Sequence, residues 1–298
     1  MIPRIDAQAL LEADRSVVEQ VRVAAHEVGF LTLHNTPIPA GDIADVFAAY
    51  RSFFALPTAQ KDVVDMARTG SNRGWGAGGS EQVDPHASPD YKQIFDSGFE
   101  VAGSDLPAYA PNQWPVLPVG FRVAIENYYA RALAFSGDVL AAIVGGIGDD
   151  EGYFRAQFDQ PMALLRGNYY PQRPAWAGGK DFGIATHTDY GCLTLLAMDG
   201  TPGLEVRRRG GGWSPVSAPV GEFVVNFGEM LEMWTKKRVV ATPHRVVGGA
   251  VERMSVPLFY NPNASTNVAP VGSGKVIRAV DHLQRRFDET YLHLKDKP

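Results

Sequence analysis

The chain has 298 residues, with 28 Lys+Arg against 33 Asp+Glu, a formal charge of −5, and 45% hydrophobic residues. That balance excludes a disordered or collagen-like polymer, and the acidic excess argues against nucleic acid as a partner. Cys192, the single cysteine, excludes an internal disulfide framework and an all-cysteine zinc site, and fits a reducing compartment.

The opening Met1-Ile2-Pro3-Arg4-Ile5-Asp6 lacks a basic segment followed by an apolar run, so no leader is expected. Asp14-Arg15-Ser16 precedes apolar residues recurring at three and four, which predicts a helix from Val17 to Ala25. Gly29 to Leu33 reads as a strand, Asn35-Thr36-Pro37 as a turn, and Pro39 to Leu56 as a second helix. Residues 68–118 are rich in Gly, Pro, Ser and Asn and predict extended loops, with a short strand near Gln93-Ile94-Phe95. Residues 119–146 keep a helical beat through Phe121, Ile125, Tyr128, Leu133 and Leu140. The apolar stretch Val139 to Ile147 is too short to cross a bilayer and is broken by Gly145 and Gly146, so a cytoplasmic protein with no membrane partner is expected.

Beyond residue 160 the pattern changes to short apolar runs divided by turn signals. The runs are Met162–Leu165, Thr194–Met198, Leu204–Val206, Trp213–Val216, Phe223–Asn226, His244–Val247 and Ser255–Tyr260. Many short strands at this spacing predict a sandwich or barrel, and Asp281 to Leu294 returns to helix. The chain is read as one structural unit: an N-terminal helical and loop region over 1–118, then a helix, a β core and a C-terminal helix over 119–298.

Chemistry concentrates at His187-Thr188-Asp189. On an extended segment residues two apart share a face, so one imidazole and one carboxylate can aim at one point. His244, in a strand-like run, is the natural third ligand. Two histidines and one carboxylate on one side of a metal form the facial triad typical of non-haem Fe(II) oxygenases. Arg253 and Ser255 again share a strand face, where a guanidinium and a hydroxyl can grip a carboxylate of a dicarboxylic cosubstrate.

These motifs resemble those of the 2-oxoglutarate- and Fe(II)-dependent dioxygenases of the isopenicillin N synthase type, and the resemblance covers nearly the whole chain. It is carried by Ala25-His26-Glu27-Val28-Gly29-Phe30, Arg73-Gly74-Trp75, Asn168-Tyr169-Tyr170-Pro171, His187-Thr188-Asp189, Thr242-Pro243-His244-Arg245-Val246, Arg253-Met254-Ser255 and Asn261-Pro262-Asn263. It implies a mainly β fold with flanking helices, a double-stranded β-helix (jelly roll, cupin-like). It also implies Fe(II) on His187, Asp189 and His244, and 2-oxoglutarate on Arg253 and Ser255 with Tyr170 and Asn168 in contact. O2 is the further cosubstrate, and succinate and CO2 are products. The implied outcome is hydroxylation of an unactivated C–H of a small molecule; desaturation or cyclisation can follow from the same radical. Because Asp189 is present, halogenation ranks low. One departure, His34-Asn35-Thr36-Pro37-Ile38 in place of Asn-His-Gly-Ile, bears on local loop geometry.

Candidate substrate residues are Arg73, Trp75, Gln93, Phe95, Tyr190, Phe259 and Tyr260, with Arg73 able to pair with an acidic group. Gly74-Trp75-Gly76-Ala77-Gly78-Gly79 fits a dinucleotide pattern formally but lacks the flanking strand and helix. Gly272-Ser273-Gly274-Lys275 lacks the rest of a phosphate loop, Arg207-Arg208-Arg209 reads as a solvated hairpin tip, and Cys192 as a small buried hydrophobe. A monomer or weak homo-oligomer is expected. The alternatives are an isopenicillin N synthase-like or aminocyclopropane-carboxylate oxidase-like enzyme that does not use 2-oxoglutarate, a metal-binding sensory module without catalysis, and an enzyme that fragments 2-oxoglutarate to ethylene.

Overall fold

The structure, a computed structural model, describes residues 2–178, 181–270 and 272–290. Twelve strands are described: β1 Arg4–Asp6, β2 Phe30–His34, β3 Gly74–Gly76, β4 Gln93–Gly98, β5 Leu164–Tyr170, β6 Ile184–His187, β7 Leu193–Met198, β8 Leu204–Arg207, β9 Trp213–Pro215, β10 Phe223–Phe227, β11 His244–Val246 and β12 Arg253–Tyr260. They form an eight-stranded sheet, in the order β1-β2-β10-β7-β12-β5-β4-β3, and a four-stranded sheet, β6-β11-β8-β9. This is the double-stranded β-helix with flanking helices. The larger sheet takes strands from both sides of residue 118.

Side-chain alternation divides the larger sheet into two faces. In β12, Met254, Val256, Leu258 and Tyr260 join the apolar core, while Arg253, Ser255, Pro257 and Phe259 turn into a cavity between the sheets. In β7, Leu193, Leu195 and Ala197 enter the core, and Thr194 and Leu196 line the cavity. The helices Arg15–Glu27, Ala40–Phe54 and Phe121–Gly146 cover the core face with Val21, Tyr50, Phe53, Phe121 and Ile125. Gly167 in β5 lets the Tyr50 ring lie on the backbone, since a Cβ there would overlap the ring.

The helices follow local chemistry. Asp14 caps the helix Arg15–Glu27 by accepting the N–H groups of Ser16 and Val17. The departure at residue 35 is accommodated by a left-handed backbone at Asn35 (φ 55°), whose amide donates to the Asp6 carboxylate at 3.3 Å. β1, β3 and β6 are not among the expected strands: Arg-Ile-Asp, Gly-Trp-Gly and Ile-Ala-Thr-His carry no apolar run to mark them. β5 starts two residues later than the apolar run suggested and continues through Arg166 and Asn168, polar groups that face the cavity. The C-terminal helix is described over Ala279–Thr290, and the remainder of the 281–294 expectation lies outside the described residues. Among the described residues, no helix is long and apolar enough to cross a membrane.

Candidate active site

His187 closes β6 and His244 opens β11, and the two are direct partners in the antiparallel register. Their rings stand 4.3 Å apart between centroids. Asp189, two residues past the end of β6, completes the set: its Oδ1 lies 3.8 Å from His187 Nε2 and 3.6 Å from His244 Nε2. The three ligand atoms all lie within 4.8 Å of one another, a spacing a single metal ion can bridge. Strand β6 ends at His187, so Asp189 reaches the cluster from just past the paired strand.

Each ligand is oriented by a second bond. His187 Nδ1 lies 2.8 Å from the Ala185 carbonyl and His244 Nδ1 lies 3.1 Å from the Thr242 carbonyl. A carbonyl only accepts, so each Nδ1 carries the proton and each Nε2 presents a lone pair to the cluster. Thr194 Oγ1 and Asn226 Nδ2 both donate to Asp189 Oδ2, which leaves Oδ1 facing the imidazoles. Phe30 packs its ring edge-to-face with His244 at 5.3 Å. Burial and the facing His244 push the His187 imidazolium down to about 3, so that ring is neutral and able to ligate near pH 7. Burial works against the Asp189 charge, but His244, His187 and the Thr194 and Asn226 hydrogen bonds outweigh it and hold the carboxyl below its usual range.

Across the cavity from this cluster stands Arg253, 3% exposed. Its Nε donates to the Thr201 carbonyl at 3.3 Å, its Nη2 meets Met198 Sδ at 3.3 Å, and its guanidinium lies over the Tyr170 ring at 4.9 Å. Nη1 has no partner, and no carboxylate pairs with this cation among the described residues. Asn168 donates to Ser255 Oγ at 3.4 Å, and its own Oδ1 is also without a partner. A buried cation needs an anion. An open-faced guanidinium beside a hydroxyl and an amide, in the cavity that holds a His-Asp-His cluster, therefore fits a dicarboxylate bridging to a metal.

The other candidates divide. Arg73, Tyr190 and Phe259 line the cavity. Arg73 donates to the carbonyls of Asn72 and Ala108 at 3.1 and 2.6 Å, Tyr190 shares a 2.5 Å hydrogen bond with Thr290, and Phe259 lies under the Arg166 guanidinium at 5.8 Å. Trp75, Gln93, Phe95 and Tyr260 lie away from it. Gln93 and Phe95 alternate with the cavity-facing Lys92, so they point to the opposite side. There Gln93 Oε1 accepts from Trp75 Nε1 at 3.0 Å and from Lys61 Nζ at 2.9 Å, and Phe95 packs on Phe53 and Phe121. Tyr260 shares the core face of β12 and stacks on Phe158 at 4.7 Å. Cys192 lies fully buried just before β7, where desolvation pushes its thiol up.

Sequence reasoning missed the groups around the ligands. Asn261 accepts the Cys192 N–H at 3.0 Å and donates to the Met162 carbonyl at 3.1 Å, bracing the segment after Asp189. No side chain fits at Gly191, where a Cβ would overlap that carboxamide. It also missed Glu81, Asp90, Lys92, Asp96 and Arg166, a buried ionic ladder. Lys92 meets Glu81 at 2.6 Å and Asp90 at 2.9 Å, while Arg166 meets Glu81 at 2.9 Å and holds Asp96 with two bonds of 2.7 Å. Asp90 accepts the Ala185 N–H at 3.0 Å, on the strand that carries His187.

Two family models match the chain: the N-terminal region of the non-haem dioxygenases in morphine synthesis over residues 2–116, and the 2OG-Fe(II) oxygenase superfamily over residues 161–262. The 2-oxoglutarate-Fe(II) type oxidoreductase hxnY of Emericella nidulans is 32% identical over 264 residues, covering 84% of this chain and 75% of that protein. A full-length Neurospora crassa protein crystallised in complex with alpha-KG superposes with a TM-score of 0.86 at 28% identity, covering 97% of this chain and 96% of the other. The same Neurospora crassa protein with alpha-KG and thymine gives a TM-score of 0.84 at 28% identity, with 97% of each chain covered. With the His-Asp-His cluster and the jelly roll that carries it, these likenesses identify the chain as a member of the 2-oxoglutarate- and Fe(II)-dependent oxygenase superfamily, and as a non-haem dioxygenase within it.

Proposed function

We propose that the chain hydroxylates an unactivated C–H bond of a small molecule, in a reaction that converts 2-oxoglutarate and O2 to succinate and CO2. In this reading His187, Asp189 and His244 hold Fe(II), and Arg253 and Ser255, with Asn168 and Tyr170, hold 2-oxoglutarate. Bound iron would supply the redox chemistry that activates O2.

The protein's own part is positional. The carbonyls of Ala185 and Thr242 keep both imidazoles in the ligating tautomer. Thr194 and Asn226 occupy one oxygen of Asp189 and reserve the other. Arg253 fixes the far carboxylate of the cosubstrate, and Leu196, Leu204 and Val246 along the cavity wall exclude water from the reacting end. A small-molecule substrate is supported by the relative crystallised with alpha-KG and thymine.

The observation that carries the reading is the buried guanidinium of Arg253, with an open Nη1 and no carboxylate among the described residues, in the cavity that holds the three ligands. The test is anaerobic titration of the Fe(II)-loaded protein with 2-oxoglutarate. A weak visible band should develop, and admission of O2 should release succinate. Calorimetry that detects no 2-oxoglutarate binding would overturn the assignment.

A further inference from the structure

One end of the cavity has a polar wall that the proposed reaction does not use. Lys92 and Glu81 both line it, with side chains 2% and 4% exposed. An ammonium has three N–H donors. Lys92 uses one on Glu81 Oε2 at 2.6 Å and one on Asp90 Oδ2 at 2.9 Å, which leaves one. A carboxylate offers about four acceptor positions. Glu81 takes Lys92 on Oε2 and Arg166 Nη1 on Oε1 and Oε2 at 2.9 and 3.1 Å, which again leaves one. Among the described residues, a spare donor and a spare acceptor therefore stand on the bonded pair Lys92 and Glu81.

Among the described residues the charges of the wall balance. Arg73, Lys92 and Arg166 are matched by Glu81, Asp90 and Asp96, all buried. Phe259, Leu283 and Phe287 supply the apolar lining of the same cavity. Asp90 ties the pair to the metal strand, because it accepts the N–H of Ala185, two residues before His187.

Resting on the oxygenase reading, we propose that this end selects a neutral cyclic amide, such as a lactam, imide or ring urea, whose N–H is accepted by Glu81 and whose C=O is bound by Lys92. Such a face carries its donor and acceptor side by side, as the wall does. A carboxylate would bring two acceptors against Glu81, and an amine would bring donors against Lys92. A hydrocarbon would leave both buried groups unmatched, which a polar site rejects strongly.

Three probes of one ring size test this by calorimetry on the anaerobic wild-type protein loaded with Fe(II) and 2-oxoglutarate: δ-valerolactam, its N-methyl derivative and cyclohexanecarboxylate. The lactam should bind at least tenfold more tightly than either of the others. Glu81→Gln should weaken lactam binding about tenfold and leave 2-oxoglutarate affinity unchanged. Equal or tighter binding of the N-methyl lactam or the carboxylate overturns the proposal, and the wild-type series decides even if the variant does not fold. Bound 2-oxoglutarate without lactam preference sinks this inference alone; no binding of 2-oxoglutarate sinks the parent reading with it.

Discussion

The two ends of the cavity solve the problem of buried charge in opposite ways. At one, among the described residues, Arg253 meets a carbonyl, a thioether and an aromatic face, and its Nη1 has no partner. At the other, Lys92 and Arg166 are bound by the carboxylates of Glu81, Asp90 and Asp96. A lone buried cation is costly until an anion arrives, so the first end reserves its place for a charge. A self-compensated set gains little from a charge and discriminates by the direction of its remaining donors and acceptors. One end is an electrostatic socket and the other a hydrogen-bonding template.

The largest expected effect tests the socket. Arg253→Ala should weaken 2-oxoglutarate binding by about 2–5 kcal/mol, the range for truncating one member of a buried charged pair. Calorimetry with the metal-loaded protein measures it, and a loss confined to a few tenths of a kcal/mol would dissolve the contrast between the ends.

At the metal cluster the effect should be smaller. Asn226→Ala removes one of the two donors on Asp189 Oδ2 without touching the other. Metal affinity should fall by about 10–100-fold, as for other residues that orient a ligand. Competition with a chelator reads this directly, and unchanged affinity would show that Thr194 alone orients the carboxylate.

The smallest effect concerns the template and pH. Burial works against the charge of Glu81, but Arg166 and Lys92 hold its pKa down to about 2, below the ordinary 4.5. A depressed carboxyl stabilises the fold above its unfolded pKa, and that contribution is lost as pH falls from 4.5 towards 2. Asp90 and Asp96 are displaced upward by burial, and their protonation offsets part of the loss. Urea melts of Glu81→Gln should therefore lose less stability across that interval than the wild type. An acid limb as steep in the variant would remove Glu81 from the ionic ladder.

The same contrast decides what could be read from the sequence. His187, Asp189, Arg253 and Ser255 announce themselves because each pair sits two residues apart, so local spacing already implies a shared direction. The jelly roll followed from the rhythm of short apolar runs and from the motif resemblance. The template is different. Glu81, Asp90 and Lys92 lie in a Gly- and Pro-rich stretch that reads as solvated loop, and only packing against β5 and β6 buries them. Thr194 and Asn226 reach Asp189 from strands distant in sequence, and nothing local marks them. Parity explains Gln93, Phe95 and Tyr260: each is near the cavity in sequence but one residue out of phase with it.

The strand that carries His187 is an edge member of the four-stranded sheet, only four residues long. Short marginal strands are where native chains fray first. An ion held jointly by His187 and His244 would act as a rivet through that margin, fastening β6 to β11. Amide exchange over residues 184–187 should then slow on metal loading more than exchange in the central strands β7 and β12, so that the catalytic ion also mends the seam it sits on.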